Sequence, residues 1–357
     1  MFQPKTLFVM GAGASTEFNF PTGAALMNII KEKLVYDEAK FSLSDAAIHR
    51  ALLTHVNGTP PGAPVIYGLS DYVDAARQIV RAMPLSASID TYMDDQRSDP
   101  CIQLCGRLAI VKAIMEAEGA CKYKFSPERA RILPPGTMET VDFNLLENAW
   151  FVRFFKTLRG GGVSKENVAT IFNNISIVSF NYDRSAEYML LAGLYSYYGI
   201  PEAEAESILE KLRILHPYGT VGPWREGGAH LPFGQIADSP DDLLKLAKRI
   251  STYTELSAHA DDVKDLVSEA QVIIFLGFGY IQENMRLLGP NDEARAARHI
   301  YGTAYGFSQP DKVIIHGILA KFLIPAFSVW NPNPAVDLFG GTCAGLFDEY
   351  PLKMSAG

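Results

Sequence analysis

The sequence predicts an α/β fold in which a doubly wound parallel sheet carries a mostly helical insertion. Short apolar runs that are typical of buried strands recur along the chain, segments of helical periodicity separate them, and several runs end directly in a glycine or asparagine turn. A strand that is apolar along its whole length is buried on both faces, as in parallel sheets covered by helices. Ligands on such sheets bind beyond the carboxyl ends of the strands. The turns that follow the strands are therefore the candidate site.

The composition limits the class of protein. The chain has 357 residues, of which 48% are apolar and 20% charged, and this is typical of a globular protein with one core and an insertion. Its 32 basic and 40 acidic residues give a net charge of -8, which disfavours nucleic acid as a partner. We find neither a signal-peptide layout nor an apolar run of about 18 residues, so we expect a cytoplasmic protein without membrane association.

The first predicted strand is the apolar run Thr6–Met10. A glycine turn over residues 11–15 follows it directly, and apolar residues then recur at helical spacing up to Leu34. The unit of strand, turn and helix begins the predicted sheet domain.

Helical periodicity dominates the next part of the chain. It is clearest over residues 72–83, 102–118 and 143–158, and no strong strand pattern interrupts it. We therefore predict three parts. The sheet domain covers residues 1–36 and 170–335, the helical insertion covers residues 37–169, and a C-terminal tail covers residues 336–357.

Strand patterns resume after the insertion. Five apolar runs cover residues 175–180, 212–215, 272–276, 299–301 and 326–330. Segments of helical periodicity lie between most of these runs. Strands that alternate with helices predict one parallel sheet together with the first strand.

The turn after the first strand is the first candidate binding motif. Gly11, Ala12 and Gly13 lead from the strand into a helix, and Ser15 follows within its first turn. Backbone N–H groups at a helix start favour an anion such as a pyrophosphate, and glycine lets the backbone approach it closely. A tight turn without a ligand is the alternative, because the third glycine of the GxGxxG pattern is missing.

Polar side chains follow two later strands. Asn181 and Asp183 come after the run 175–180, where the Asn181 amide suits a ribose hydroxyl or a water molecule and Asp183 could hold Asn181 and the turn. His216 directly follows the run 212–215, and a histidine there could position a sugar hydroxyl or accept its proton. Helix capping by the first two residues and a structural role for His216 are the alternatives.

The last strand-end motif is the turn at Gly277 and Gly279, with Asn284 about one helical turn further on. The glycines again permit close approach of the backbone to a ligand. The Asn284 amide suits a ribose. A packing turn without a ligand is the alternative.

In this chain order the motifs resemble the Rossmann-like domain of the sirtuins, and in particular the sirtuin-like NAD hydrolases of prokaryotes. The resemblance implies that Asn181 and His216 face the nicotinamide ribose as the catalytic pair. It implies an NAD-binding set that consists of Gly11, Ala12, Gly13, Ser15, Asp183, Gly277, Gly279 and Asn284. Residues 88–92 and 302–306 look similar to an element and a nucleotide-side loop of these hydrolases.

Several departures separate the chain from the deacylase sirtuins. Their zinc module needs two CxxC pairs between the histidine and the later glycine turn, whereas residues 218–271 contain no cysteine. Residues 20–23 replace the usual segment after the first turn, and His216 is followed by proline instead of glycine. His316 does precede a glycine, but it lies after the Gly277 turn, so we predict a structural role for it.

No metal site is expected. The four cysteines form no CxxC pair. Cys101 and Cys105 share one predicted helix face, which would suit half of a metal site, but we expect them to pack in a core as small apolar side chains. Zinc is accordingly not expected as a cofactor.

The reaction implied by the resemblance is cleavage of NAD at the nicotinamide N-glycosidic bond, which gives nicotinamide and ADP-ribose. NAD is then a substrate. Two alternatives stay open, an NAD-dependent protein deacylase that lacks zinc and a non-catalytic sensor that binds NAD or ADP-ribose. The presence of both Asn181 and His216 favours an enzyme over a sensor.

The resemblance also implies a role in bacterial antiphage defence, in which depletion of NAD stops the growth of an infected cell. Such an enzyme must be held silent until it is needed. We therefore expect a homo-oligomer and a regulatory partner protein, for example a co-encoded ATPase.

Overall fold

The structure is a computed structural model. The residues it describes are 2–58, 67–121, 141–222, 232–237, 239–258, 260–289, 297–323 and 335–356. The strands are β1 (Thr6–Met10), β2 (Tyr36–Asp37), β3 (Ser42–Leu43), β4 (Ile175–Ser179), β5 (Arg213–Leu215), β6 (Val272–Leu276), β7 (His299–Thr303) and β8 (Ala335–Phe339). β2 and β3 form an antiparallel hairpin, and the other six strands pair in parallel in the order β5-β4-β1-β6-β7-β8.

This strand order makes the sheet doubly wound. From β1 the chain adds β4 and β5 on one side, and it then crosses back to add β6, β7 and β8 on the other. When the six sheet strands are numbered in chain order, they run 3-2-1-4-5-6, as in the Rossmann-like folds that bind dinucleotides. The predicted fold class is confirmed. The switch point, where such folds bind ligands, lies between β1 and β6.

The side chains of β1 explain why helices cover both faces of the sheet. Leu7 and Val9 pack into one hydrophobic core, and Phe8 and Met10 pack into a second. Successive side chains of a strand point to opposite faces. A strand that is buried at every position, as β1 is, is therefore stable only between two layers of helices.

The described helices are α1 (Ala12–Ser15), α2 (Gly23–Leu34), α3 (Ala46–Asn57), α4 (Leu69–Ala82), α5 (Ile89–Asp95), α6 (Pro100–Gly119), α7 (Trp150–Arg159), α8 (Ser185–Tyr198), α9 (Glu202–Leu209), α10 (Pro240–Ala247), α11 (Ala260–Glu269), α12 (Gln282–Leu288), α13 (Gln309–Leu319), α14 (Cys343–Glu349) and α15 (Pro351–Ala356). Helices α2, α3, α4, α6, α10 and α11 contribute to the first core, and α7, α8, α9 and α14 contribute to the second. Within the described residues, no helix is both long enough and apolar enough to cross a membrane.

The segment predicted as a helical insertion supplies helices to both cores, and it contains one predicted helix that is in fact two elements. A 3-10 turn runs over Phe143–Leu146, and α7 begins at Trp150. The Trp150 N–H donates to a Glu17 carboxylate oxygen at 2.7 Å, an acceptor outside the helix. The apolar spacing continues across this break, so periodicity alone does not reveal it.

The segment predicted as a C-terminal tail, residues 336–357, contains most of β8 as well as α14 and α15. β8 pairs in parallel with β7. Phe347 of α14 stacks on Trp150 of α7 with ring centroids 6.1 Å apart. The strand predicted over 326–330 lies outside the described residues.

Candidate functional site

A cavity of about 800 Å³ lies at the carboxyl ends of the parallel strands. The turns after β1, β4 and β6, the end of β7, the segment after β8 and part of α5 line it. Small-molecule and cofactor sites have volumes of about 300–1,000 Å³. The cavity lies at the switch point between β1 and β6, where a ligand is expected in this fold.

Eight of the ten predicted site residues line this cavity. They are Gly11, Ala12, Gly13, Asn181, Asp183, Gly277, Gly279 and Asn284. The other two do not line it. Ser15 is buried next to Asn181 and Asp183, and His216 lines a second cavity.

The glycines after β1 and β6 pack the two turns against each other. Gly11 N–H donates to the Leu276 carbonyl at 3.0 Å, and Gly13 N–H donates to the Gly277 carbonyl at 2.9 Å. Gly277 has φ of 56°, and a Cβ there would lie 2.0 Å from the Ala14 nitrogen. Contact between the two turns therefore requires glycine even without a ligand.

These contacts use most of the N–H donors predicted for an anion. Ala14 N–H also has an acceptor, the Gly11 carbonyl at 2.9 Å. Ala12 is the first residue of α1, where an N–H has no acceptor within the helix, and no described backbone carbonyl outside the helix accepts from it. The Ala12 N–H is thus one donor that the turn offers to a ligand.

Ser15 links the two halves of the predicted Asn–Asp motif. Its hydroxyl donates to Asp183 Oδ2 at 3.1 Å and accepts from Asn181 Nδ2 at 3.0 Å. Asn181 Nδ2 also donates to the Gly11 carbonyl at 3.1 Å. Burial raises the pKa of Asp183, although hydrogen bonds from Ser185 and Ser15 act in the opposite direction. Asp183 therefore holds Asn181 through Ser15.

The Asn181 amide oxygen has no hydrogen-bond partner among the described residues. Asn181 lines the cavity, yet its Oδ1 is buried and accepts no hydrogen bond from a described residue. A buried acceptor without a donor costs about 1–3 kcal/mol. A ligand hydroxyl or a water molecule would supply the missing donor.

His216 contacts Asn181 from outside the cavity. Its Nδ1 lies 3.0 Å from the Asn181 carbonyl oxygen, and its Nε2 lies 2.8 Å from Oε1 of Glu187. Both neighbours are acceptors, so an imidazole that donates to both is protonated. Burial disfavours the charge on either side chain, but each charge stabilises the other, which raises the pKa of His216 and lowers that of Glu187. The structure places His216 as a support for the Asn181 backbone.

Only part of the Asn284 amide is open to a ligand. The Tyr218 hydroxyl donates to Asn284 Oδ1 at 2.6 Å. Both residues line the cavity. A Cβ at Gly279 would meet only Ile281, 3.6 Å away, so the packing of the described residues does not require glycine there.

The cavity walls are acidic. Six carboxyl side chains line it, namely Glu17, Asp90, Asp94, Asp95, Asp183 and Glu283. Among the described lining residues there is no Lys, Arg or His. Burial raises the pKa of Asp90 to about 7, and it also raises the pKa of Glu17. The site therefore contains a carboxyl group that exchanges its proton near neutral pH.

Asp90 and Tyr182 form a pair that is outside the set of predicted site residues. The Tyr182 hydroxyl donates to Asp90 Oδ1, and both side chains line the cavity. Ser88 caps α5 by accepting from Thr91 N–H at 3.0 Å, and this cap holds Asp90 in the first turn of the helix. The family-like pattern over 88–92 could have pointed to Asp90. Tyr182 stands between Asn181 and Asp183 in the predicted turn, but no role was predicted for its hydroxyl.

The end of β7 completes the wall near β6. Thr303 Oγ1 accepts from Gly277 N–H at 2.8 Å. Tyr280, with φ of 52°, donates its hydroxyl to the Thr303 carbonyl at 3.0 Å. A Cβ at Gly302 would lie 2.5 Å from that hydroxyl. Thr303, the last residue of β7, and Tyr305 both line the cavity.

The remaining metal and histidine candidates lie away from the cavity. In the described stretches, no group of three or more His, Cys, Asp or Glu side chains is placed to hold a metal ion. Cys101 and Cys105 are buried in the first core, where burial raises the pKa of both thiols and Cys105 Sγ donates to the Tyr72 carbonyl at 3.4 Å. His316 is exposed on α13 and lines neither cavity.

The fold and the site define the class of this chain as a Rossmann-like α/β protein with an acidic cavity at its switch point. No protein-family model matches the chain, and no curated protein or solved structure matches it. The sirtuin-like resemblance of the motifs therefore stays a prediction.

Proposed function

We propose that this protein is an NAD glycohydrolase, which cleaves the bond between nicotinamide and ribose and releases nicotinamide and ADP-ribose. The observation that carries the proposal is the buried Asn181 amide oxygen, which has no partner among the described residues and belongs to a residue that lines an acidic cavity. The cavity lies where folds of this class bind dinucleotides. Its volume, about 800 Å³, is sufficient for a ligand of that size.

The acidic wall suits the charge that this reaction creates. An N-glycosidic bond breaks through an oxocarbenium-like sugar, as in glycoside hydrolysis. Positive charge moves from the nicotinamide ring to the ribose, and nicotinamide leaves as a neutral molecule. Carboxylates fixed around the ribose stabilise that charge without having to reorganise.

Two groups of the cavity wall act on the water molecule that attacks the ribose carbon. Asn181 Oδ1 accepts a hydrogen bond from this water or from a ribose hydroxyl and so holds it in place. The Asp90 carboxylate, whose pKa burial raises to about 7, accepts the proton that the water loses as its oxygen bonds to the ribose carbon. His216 is assigned a positioning role, because its ring contacts the Asn181 carbonyl and does not line the cavity.

The pyrophosphate of NAD needs donors, because carboxylates repel it. The Ala12 N–H and the Asn284 amide both belong to cavity-lining residues, and the start of a helix favours an anion. Burial raises the pKa of Glu17 and of Asp183. Each of these two carboxyl groups therefore keeps its proton to a higher pH than an exposed carboxyl group does.

Nicotinamide release from NAD, followed by chromatography, tests the proposal. We expect the wild type to release nicotinamide without an acylated peptide and in the presence of a chelator. Asn181→Ala should slow the release by about 100-fold or more, because it removes the group that positions the water. Asn57→Ala is the matched control, since Asn57 is an exposed residue at the end of α3. An Asn181→Ala rate within a few-fold of this control would place the reaction elsewhere.

Two other outcomes would replace the proposal by one of its alternatives. Release of nicotinamide only when an acetyl-lysine peptide is present would indicate a deacylase. Calorimetric binding of NAD with no release, with or without the peptide, would indicate a binding protein.

The pH dependence of the same reaction tests the part of Asp90. A base must be ionised, so kcat/KM should rise with pH up to about 7 and then level off. Asp90→Asn should lower kcat/KM by about 100-fold and abolish the rise. An unchanged pH profile in this variant would assign the ionisation to another group.

We further propose that the activity depletes NAD in antiphage defence and that homo-oligomerisation or a partner such as a co-encoded ATPase holds it silent. The support for this role is the resemblance of the motifs. Bacterial NAD content after induction of the wild type or of Asn181→Ala tests it. A fall in NAD with the wild type alone is expected.

A further inference from the structure

A second cavity lies next to the support of Asn181. Its volume is about 460 Å³, and it is lined by the start of α8, the turn after β5 and residues just after α10. His216 lines it, and Nδ1 of this ring lies 3.0 Å from the Asn181 carbonyl. The His216 side chain therefore lies between this second cavity and Asn181, which lines the first cavity.

Glu187 supplies this cavity with an unsatisfied acceptor. The residue lines the cavity and is 8% exposed. Its Oε1 lies 2.8 Å from His216 Nε2, whereas its Oε2 is buried and has no partner among the described residues. Because His216 already balances the charge of Glu187, the partner that suits Oε2 is a neutral donor such as a hydroxyl.

Two cations line the same cavity. Lys248 and Arg249 are exposed, and neither forms an ion pair with a described residue. Arg184 also lines the cavity, but its guanidinium is held by Glu118, with Nη2 2.6 Å from Oε2. Two positive charges that no described carboxylate balances favour a group that carries up to two negative charges, as a phosphate monoester does.

We propose that this second cavity binds a phosphorylated sugar, with the phosphate on Lys248 and Arg249 and a sugar hydroxyl on Glu187 Oε2. A zwitterion fits less well, because its ammonium would lie beside the Glu187–His216 pair and its single carboxylate would balance only one of the two cations. A volume of about 460 Å³ accommodates a ligand of the size of a pentose phosphate. The site does not depend on the proposed NAD cleavage.

Calorimetric titration of the full chain with ribose 5-phosphate tests this site. We expect binding that weakens by about 10-fold or more in the double variant Lys248→Ala/Arg249→Ala, because charge-assisted hydrogen bonds are lost. Lys245→Ala is the matched control. It removes a lysine of α10 that pairs with Asp242 at 3.1 Å and does not line the cavity, so binding should be unchanged.

Two further titrations separate this site from the first cavity and test the hydroxyl contact. Asn181→Ala removes a side chain of the first cavity and keeps the backbone carbonyl that His216 contacts, so it should bind ribose 5-phosphate as the wild type does. Inorganic phosphate should bind about 10-fold more weakly, because it cannot give Glu187 a sugar hydroxyl. The proposal is overturned by binding that survives the double variant, by binding that is lost in Asn181→Ala, or by no binding to the wild type. Equal affinity for inorganic phosphate would overturn the sugar contact.

Discussion

His216 and Glu187 form a buried pair whose contribution to stability depends on pH. Burial disfavours both charges, but each charge stabilises the other. The pKa of His216 is therefore raised above 6.5 and that of Glu187 is lowered below 4.5. The stability from His216 is full below pH 6.5 and is lost as the pH rises through the raised pKa. The stability from Glu187 is full above pH 4.5 and is lost as the pH falls through the lowered pKa. The pair therefore stabilises the fold most between pH 4.5 and 6.5.

His216→Gln tests this pair, since glutamine keeps a polar side chain but carries no charge at any pH. We expect the free energy of unfolding to fall by about 3 kcal/mol at pH 5–6, because Glu187 loses its counter-ion. The difference from wild type should shrink as the pH is raised. Urea unfolding at several pH values measures it.

The control for this variant is His316→Gln. His316 is exposed and lines neither cavity, so its replacement should change neither stability nor NAD turnover. A deficit in His216→Gln that is the same at every pH would contradict the ion pair.

The turns after β1 and β6 pack closely against each other and are joined by backbone hydrogen bonds. This packing changes the meaning of their glycines, which the sequence assigned to a ligand. Gly11 and Gly13 are also required by contact with the Gly277 turn, where a Cβ on either would come within 2.7 Å of the neighbouring backbone. The groups that point to a ligand are instead the Asn181 oxygen and the carboxyl groups that line the same cavity as this residue.

Gly277→Ala tests the contact between the turns. Its φ of 56° and the 2.0 Å approach of a Cβ to the Ala14 nitrogen make alanine both strained and too large. We expect a loss of about 2 kcal/mol or more in the free energy of unfolding. Gly317→Ala is the matched control, because Gly317 lies inside α13 with open space around it. That substitution should be neutral or stabilising by up to about 1 kcal/mol. Equal stability of the two variants in urea would contradict the packing.

At the scale of the whole molecule, the C-terminal segment is part of the second core. Phe347 is 2% exposed and stacks on Trp150, whereas Leu352 of α15 is 79% exposed. Phe347→Ala should lower the free energy of unfolding by about 3–5 kcal/mol. Leu352→Ala should change it by less than about 0.5 kcal/mol. Similar values for both in urea unfolding would show that this segment folds apart from the core.

The sequence by itself determined the class of the fold and the edge of the sheet that holds the site. β6 is apolar at every position and β1 at every position except Thr6, and such strands need helices on both faces for burial. The sequence also indicated where β1, β4 and β6 end, since a polar or glycine-rich turn follows each of these strands. Parallel strands bring such turns to one edge, so the grouping of Gly11, Asn181 and Gly277 was predictable from local patterns alone.

The tertiary structure alone decided which side chains face one another. Tyr182 and Asp90 are 92 positions apart in the chain, and only the tertiary structure brings the start of α5 next to the turn after β4. His216 follows β5 at the edge of the sheet. There its Nδ1 is hydrogen-bonded to the Asn181 carbonyl and its Nε2 to Glu187. A local pattern predicts where a strand ends. The direction of the side chain that follows the strand depends on hydrogen-bond partners that are distant in the sequence. For that reason the strand-end pattern placed His216 in the site and did not predict the acidic cavity wall.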